Sequence, residues 1–214
     1  QVLVSRSSEM LVKRLFEKEV PEIYQGVVEI KAIARDAGER TKMAVVSHNE
    51  EIDPIGACIG QRGGRVQEII EELHGEKIDI FEYSNDVSVL VKNALAPAVV
   101  TAVLPGRDDN SLLVIVDAAQ LSLAIGKRGK NARLAVKLTN HKIDIKTREE
   151  IEEAGMDYEA LLAQAEVLKQ KAAEKTEKEN EMKRAEAIKE QEEKKAAAAE
   201  KIAALKENAG SEDD

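Results

Sequence analysis

Two short loops hold the residues best suited to chemistry: Ile59-Gly-Gln-Arg-Gly63 and Ile125-Gly-Lys-Arg-Gly129. Glycine reaches backbone conformations closed to other residues and lets a second backbone approach without a Cβ in the way. Each loop runs into a segment that reads as a helix, whose first N–H groups point back at the loop and attract anions. Gly60 and Gly63 enclose Gln61 and Arg62, and Gly126 and Gly129 enclose Lys127 and Arg128. Arg65 flanks the first loop, and Lys130, Asn131 and Arg133 flank the second. Arginine offers phosphate a planar fork, lysine a point charge. The chemistry these residues suit is a non-covalent grip on phosphates. The second loop is the more basic, so it is expected to carry more of the salt-dependent binding. A lone GxxG is commonly an ordinary helix–helix turn. Ile59 and Ile125, with Ile55 and Leu121, serve the core or line a groove that receives unpaired bases.

The surrounding elements argue against a chance match. Before the first loop, Lys42–Ser47 reads as a strand, and Asp53-Pro54 opens a short helix with a good cap and a proline suited to its first turn. After it, Val66, Ile69, Ile70 and Leu73 form a helical stripe that Gly75 can end. Lys77–Ile80 is the next strand. The second copy repeats this order: strand Leu112–Val116, cap Asp117, loop, helix 130–139, strand Lys142–Ile145. The loops are offset by 66 residues and the Ile-Asp-Ile strands by 65. Internal repetition of this kind marks duplicated modules. Upstream, the first copy has a helix from Ser8 to about Lys18, a strand Val27–Ala34 and a turn at Arg35–Arg40. The second has a helical stripe from Val87 to Leu95 closed by Pro97, a strand Val99–Leu104 and a turn at Pro105–Asn110. Each module therefore reads helix–strand–strand–helix–GxxG–helix–strand, an α+β unit with a three-stranded sheet packed by helices. The expected division is 1–83, 84–148 and a tail, 149–214.

The net charge of −9 would argue against a polyanionic ligand if it were spread evenly. Residues 149–214 hold 11 basic and 20 acidic side chains, which leaves 21 of each in 1–148. The acidity lies in the tail, and a binding face is set by local clustering. Aromatic residues make up 2%, too few for a sheet that stacks bases on aromatic platforms, so any base-receiving wall is aliphatic. The single cysteine, Cys58, excludes an intrachain disulfide and reads as a small buried hydrophobe. Asp108-Asp109 reads as a hairpin turn rather than a metal site. There is no catalytic constellation, no cofactor motif and no apolar run that would span a membrane. A reducing cytoplasm fits this composition. The chain starts at Gln1 without an initiator methionine, which reads as a fragment of a longer protein. In the tail, Met156–Leu168 forms an amphipathic pattern through Leu161, Leu162, Ala165 and Leu168. Beyond it, Met182, Ile188 and Ile202 are too sparse for a heptad seam. The pairs Glu174–Lys178, Glu179–Lys183 and Glu190–Lys194 support at most transient helix. The tail is expected to be partly helical or disordered, and 157–168 is its candidate for a partner-binding helix.

At the loops the sequence resembles a known family. Asp53-Pro-Ile-Gly-Ala-Cys-Ile-Gly-Gln-Arg-Gly-Gly-Arg-Val-Gln67 and Gln120-Leu-Ser-Leu-Ala-Ile-Gly-Lys-Arg-Gly-Lys-Asn-Ala-Arg-Leu-Ala135 resemble the paired KH loops of the NusA family of bacterial transcription termination/antitermination proteins. Val12–Tyr24 and Val28–Arg35 resemble it too, and the likeness covers about residues 9–165. The resemblance implies two tandem type II KH domains that bind single-stranded RNA, the nascent transcript, as one surface. It also implies that the full protein modulates pausing, termination and antitermination on RNA polymerase, contacted through an N-terminal domain that, with an S1 domain, precedes the KH pair and lies outside this sequence. A monomer off the membrane is expected. Two other roles stay open from the residues alone: a ribosome-associated KH protein, and a KH scaffold whose tail is the interaction element.

Overall fold

The computed structural model describes residues 4–175, 177, 178 and 182. The chain divides into two compact units, residues 1–165 and 166–214. In the second unit residues 166–175 are helical with mostly exposed side chains. The pairs expected at Glu179–Lys183 and Glu190–Lys194, and the anchors Ile188 and Ile202, lie outside the described residues. No helix among the described residues is long and apolar enough to cross a membrane.

The first unit begins with α1 (Glu9–Glu19), capped by the Ser8 hydroxyl, which accepts from the Met10 N–H. Pro21 then starts a short helix that the sequence reading did not foresee, α2 (Pro21–Tyr24). The first sheet contains β1 (Val28–Asp36), β2 (Arg40–Ser47) and β3 (Lys77–Glu82), with β1 antiparallel to β2 and β2 parallel to β3. The turn expected at Arg35–Arg40 is tighter than the spacing suggests. Both strands run on, and the reversal is confined to residues 37–39 with Gly38 at φ +79°. Between β2 and β3 come α3 (Pro54–Ile59) and α4 (Gly64–Glu72). The Asp53 carboxylate caps α3 by accepting from the Ile55 N–H.

The second module repeats the order: α5 (Val87–Ala94), β4 (Val100–Pro105), β5 (Ser111–Val116), α6 (Ala118–Ile125), α7 (Lys130–Thr139) and β6 (Lys142–Lys146). Its sheet has the same mixed topology. Asp117 stands at the start of α6, but its side chain makes no capping hydrogen bond there. Both hairpins also share a bulge, between Ile30 and Ala32 and between Val100 and Ala102. One extra residue switches which face the following side chains occupy.

The bulge explains how each sheet is covered on both faces. In the first, Val28, Ile30, Ile33, Met43, Val45, Ile78 and Ile80 pack with Val12, Phe16 and Ile69 from α1 and α4. On the opposite face Ala32, Ala34, Ala44 and Phe81 join a core with Leu90, Val91, Leu134, Ala135 and Leu138 of α5 and α7. The alanines leave room for these helices of the second module to lie close against the first sheet. The same core holds Val103, Val114 and Val116 of the second sheet. That sheet's outer face carries Ala102, Leu104 and Ile115, which pack with Ile151, Met156, Leu161, Leu162 and Ala165. Ile151 lies in α8 (Arg148–Glu153), and a further helical run starts at 158, two residues later than the apolar pattern suggests. Its start is fixed by Asp157, whose carboxylate accepts from the Ala160 N–H. Residues 149–165, grouped with the tail on compositional grounds, thus cover the second sheet as the second module covers the first.

Candidate nucleic-acid interface

The two GxxG loops have almost the same backbone. Gly60 and Gly126 lie at φ/ψ of 74°/176° and 75°/170°. Arg62 and Arg128 lie at 52°/27° and 56°/29°, and Gly63 and Gly129 at 78°/11° and 72°/14°. Two arginines held in the left-handed region cost of order 1 kcal/mol each. The turn closes through Gly63 N–H to Gly60 carbonyl and Gly129 N–H to Gly126 carbonyl.

The glycines do different jobs. A Cβ on Gly60 would sit 2.6 Å from Arg65 Cγ, and one on Gly126 would sit 2.7 Å from Asn131 Cβ. The first glycine of each loop is therefore required by packing inside the protein as well as by its positive φ. A Cβ on Gly63 or Gly129 would meet nothing within 4 Å. The second glycine faces open space, and a phosphate can come close there. These second glycines stand at the N-termini of α4 and α7, which have no side-chain cap. The N–H groups of Gly64 and Lys130 donate to the Gln61 and Lys127 carbonyls and tighten the turn, while the positive end of each helix dipole faces the loop.

The side chains expected at the interface fall into two sets. Gln61, Arg62, Lys127 and Arg128 at the loop tips are exposed. Ile59 and Ile125 beside them are 36% and 39% exposed, an apolar shelf at each loop, while Ile55 and Leu121 are half-buried against the cores. Arg133 is exposed and donates to the Arg128 carbonyl at 3.1 Å, bracing the strained loop.

Arg65, Asn131 and Lys130, expected among the ligand contacts, each have partners within the protein. Arg65 donates to the Ala57 carbonyl at 2.7 Å and pairs with Glu22 at 2.9 Å. Asn131 is 1% exposed, and its amide nitrogen lies within hydrogen-bonding distance of the Leu95, Leu123 and Ala124 carbonyls. Both stand five residues after the first glycine, and both satisfy carbonyls in the helix before the loop. The repeat puts one task at one position, given to arginine in one copy and asparagine in the other. Lys130 pairs with Glu39 in the β1–β2 turn of the first module. Glu22 and Glu39 carry no local signal in the sequence, because what marks them is a partner more than 40 positions away. The five-residue spacing of Arg65 and Asn131 from their glycines was available in the repeat.

Cys58 is buried, and burial pushes its thiol up to about 12, so it is inert at neutral pH. Asp108 accepts from Ser111 through its carbonyl and pairs with Lys142, as a turn residue does.

Comparison with known proteins agrees with this geometry. Residues 6–83 match the NusA-like first KH domain and residues 87–153 the NusA-like second KH domain. The chain is 51% identical over 178 residues to the transcription termination/antitermination protein NusA of Halalkalibacterium halodurans, covering 83% of this chain and 47% of that protein. It is 53% identical over 156 residues to NusA of Bacillus subtilis, covering 73% and 42%. Against NusA of Thermus thermophilus it is 47% identical over 180 residues, covering 83% and 46%. The chain thus spans just under half the length of these relatives. With both KH matches in tandem on a duplicated fold of the expected order, the chain belongs to the NusA family.

Proposed function

We propose that this chain is the single-stranded RNA-binding part of a transcription termination/antitermination factor. The observation that carries the reading is the pair of superimposable GxxG loops, each with exposed basic or polar tips, an open second glycine and an uncapped helix start. Arg62, Lys127 and Arg128 reach phosphates from the tips, with Gln61 offering an amide. The N-terminal ends of α4 and α7 turn the positive ends of their helix dipoles toward a phosphate, and Ile59 and Ile125 pack against bases. Aliphatic packing suits a chain with few aromatics, since unpaired bases need only an apolar wall. Arg65, Asn131 and Arg133 hold the loops in shape. The binding unit comprises the first module to residue 83 and the second from 84, with its sheet cover through 165. It acts without catalysis or cofactor, as a cytoplasmic monomer. The relatives' name extends the reading: in the full-length protein this unit grips the nascent transcript, while contact with RNA polymerase falls to regions outside this chain.

The test is to replace Gln61, Arg62, Lys127 and Arg128 together by Asp and titrate a single-stranded RNA by fluorescence anisotropy. Affinity should fall at least a hundredfold, with the circular dichroism spectrum unchanged. Equal affinity in a folded variant rules the reading out.

A further inference from the structure

The ion pair between Lys130 and Glu39 joins a residue of the second RNA loop to the other module. Lys130 directly follows Gly129 and opens α7, so its position alone would make it a phosphate ligand. Its side chain is nevertheless 22% exposed and drawn to the Glu39 carboxylate in the β1–β2 turn, whose own side chain is 46% exposed. The neighbouring Lys127 and Arg128 are exposed. The equivalent of Lys130 in the first module is Gly64, so the arrangement is peculiar to the second loop.

Several features fix Glu39 there. Gly38 at φ +79° makes the turn, and its N–H donates to Glu76 at 2.9 Å. The Glu39 carbonyl accepts from the Lys77 N–H, and the next residue, Arg40, is paired with Asp79 through two hydrogen bonds. The carboxylate is therefore presented by an anchored turn.

We propose that Glu39 limits the affinity of the second loop: it holds Lys130 as an inter-module tie and places a negative charge beside the path of the RNA. This rests on the RNA-binding reading above. A carboxylate near a phosphate track weakens binding by repulsion and by occupying a cation that would otherwise neutralise a phosphate. The effect is confined to one loop, so Glu39 would also offset the greater basicity of the second loop relative to the first.

The experiment titrates the full chain with an unstructured, adenine-rich single-stranded RNA at several salt concentrations, using Glu39→Gln, Lys130→Gln, the double variant and Lys127→Gln. Glu39→Gln should tighten binding about threefold or more at low salt. It should also steepen the dependence of log affinity on log salt by about 0.7, the contribution of one more neutralised phosphate on a single strand. Lys130→Gln alone should cost much less than Lys127→Gln, and in the double variant the gain from Glu39→Gln should shrink to the part that comes from relieved repulsion. A merely structural role for Glu39 would leave the salt slope unchanged. Thermal unfolding is followed for each variant, and the two single changes should lower the midpoint by similar, non-additive amounts. If Glu39→Gln fails to tighten binding, or if Lys130→Gln weakens it as much as Lys127→Gln, the inference falls while RNA binding stands. If Lys127→Gln also has no effect on affinity or salt slope, the RNA-binding reading falls with it.

Discussion

Gly126 and Gly129 share a positive φ but differ in what surrounds them. Alanine at either position meets the backbone cost of the left-handed region, about 1 kcal/mol. At Gly126 the new methyl would also press on Asn131, 2.7 Å from its Cβ and 2.9 Å from its backbone nitrogen. Overpacking of that kind costs about 1–3 kcal/mol more. Gly126→Ala should therefore shift the urea midpoint at least twice as far as Gly129→Ala. Gly129→Ala instead places its methyl on the open face where a phosphate would approach, so its loss of RNA affinity should exceed its loss of stability. Equal urea shifts would contradict the packing argument. The two arginines in the left-handed region follow the same logic. Gly or Asn would sit there at lower cost, and arginine repays the strain only if its side chain is used.

Between elements, the Arg35–Glu76 pair does the most joining. Both side chains are buried, and the guanidinium meets the carboxylate at 2.9 Å. Arg35 also donates to the Arg6 and Ser8 carbonyls, fastening the segment before α1. The Thr41 hydroxyl and the Gly38 N–H donate to Glu76, so β1, β2, their turn and the start of β3 meet at one carboxylate. Burial alone would raise the Glu76 pKa. The hydrogen bonds from Arg35, Thr41 and Gly38 outweigh burial and hold it below 4.5. A carboxylate whose folded pKa is depressed stabilises the fold above its unfolded value and loses that contribution as pH falls through the folded value. Urea unfolding should show stability dropping below about pH 4.5. Glu76→Gln should remove roughly 3 kcal/mol at pH 7, because it leaves a buried guanidinium unpaired, and should flatten the acid limb. An unaltered acid limb in that variant would show that Glu76 is not the responsible group.

At the scale of the first unit, layers follow one another along the chain. The first sheet is covered by its own helices and by those of the second module, and the second sheet by its own helices and residues 149–165. The outer faces, Ala32, Ala34 and Ala44 in one copy and Ala102, Leu104 and Ile115 in the other, cannot be left to water without losing buried apolar area. Truncation after Ala165 should leave stability and RNA affinity close to those of the intact chain. Truncation after Arg148 removes Ile151, Leu161 and Leu162 and should cost at least about 3–5 kcal/mol, the upper range for losing a single core side chain, with aggregation through the bared sheet. Equal unfolding midpoints for the two truncations would refute a covering role for 149–165. RNA binding by the chain ending at 165 would also place the acidic remainder outside the binding unit, in keeping with the charge balance of 1–148.

The sequence alone determined the duplicated order of elements, the two loops, the four tip residues and the location of the acidity. These depend on local signals: glycine spacing, apolar period, caps and charge counts within a few residues. Local signals say less where a residue's neighbours lie far along the chain. Arg65, Asn131 and Lys130 resemble loop-flanking ligands in sequence, yet Ala57 and Glu22, Leu95 and its neighbours, and Glu39 draw them inward. Met156–Leu168 looks like a tail segment until the second sheet is folded and presents an apolar face for most of it to cover. Tertiary structure decided these points because burial and pairing are properties of the assembled surfaces, and a bulge of one residue in each hairpin sets which side chains form them.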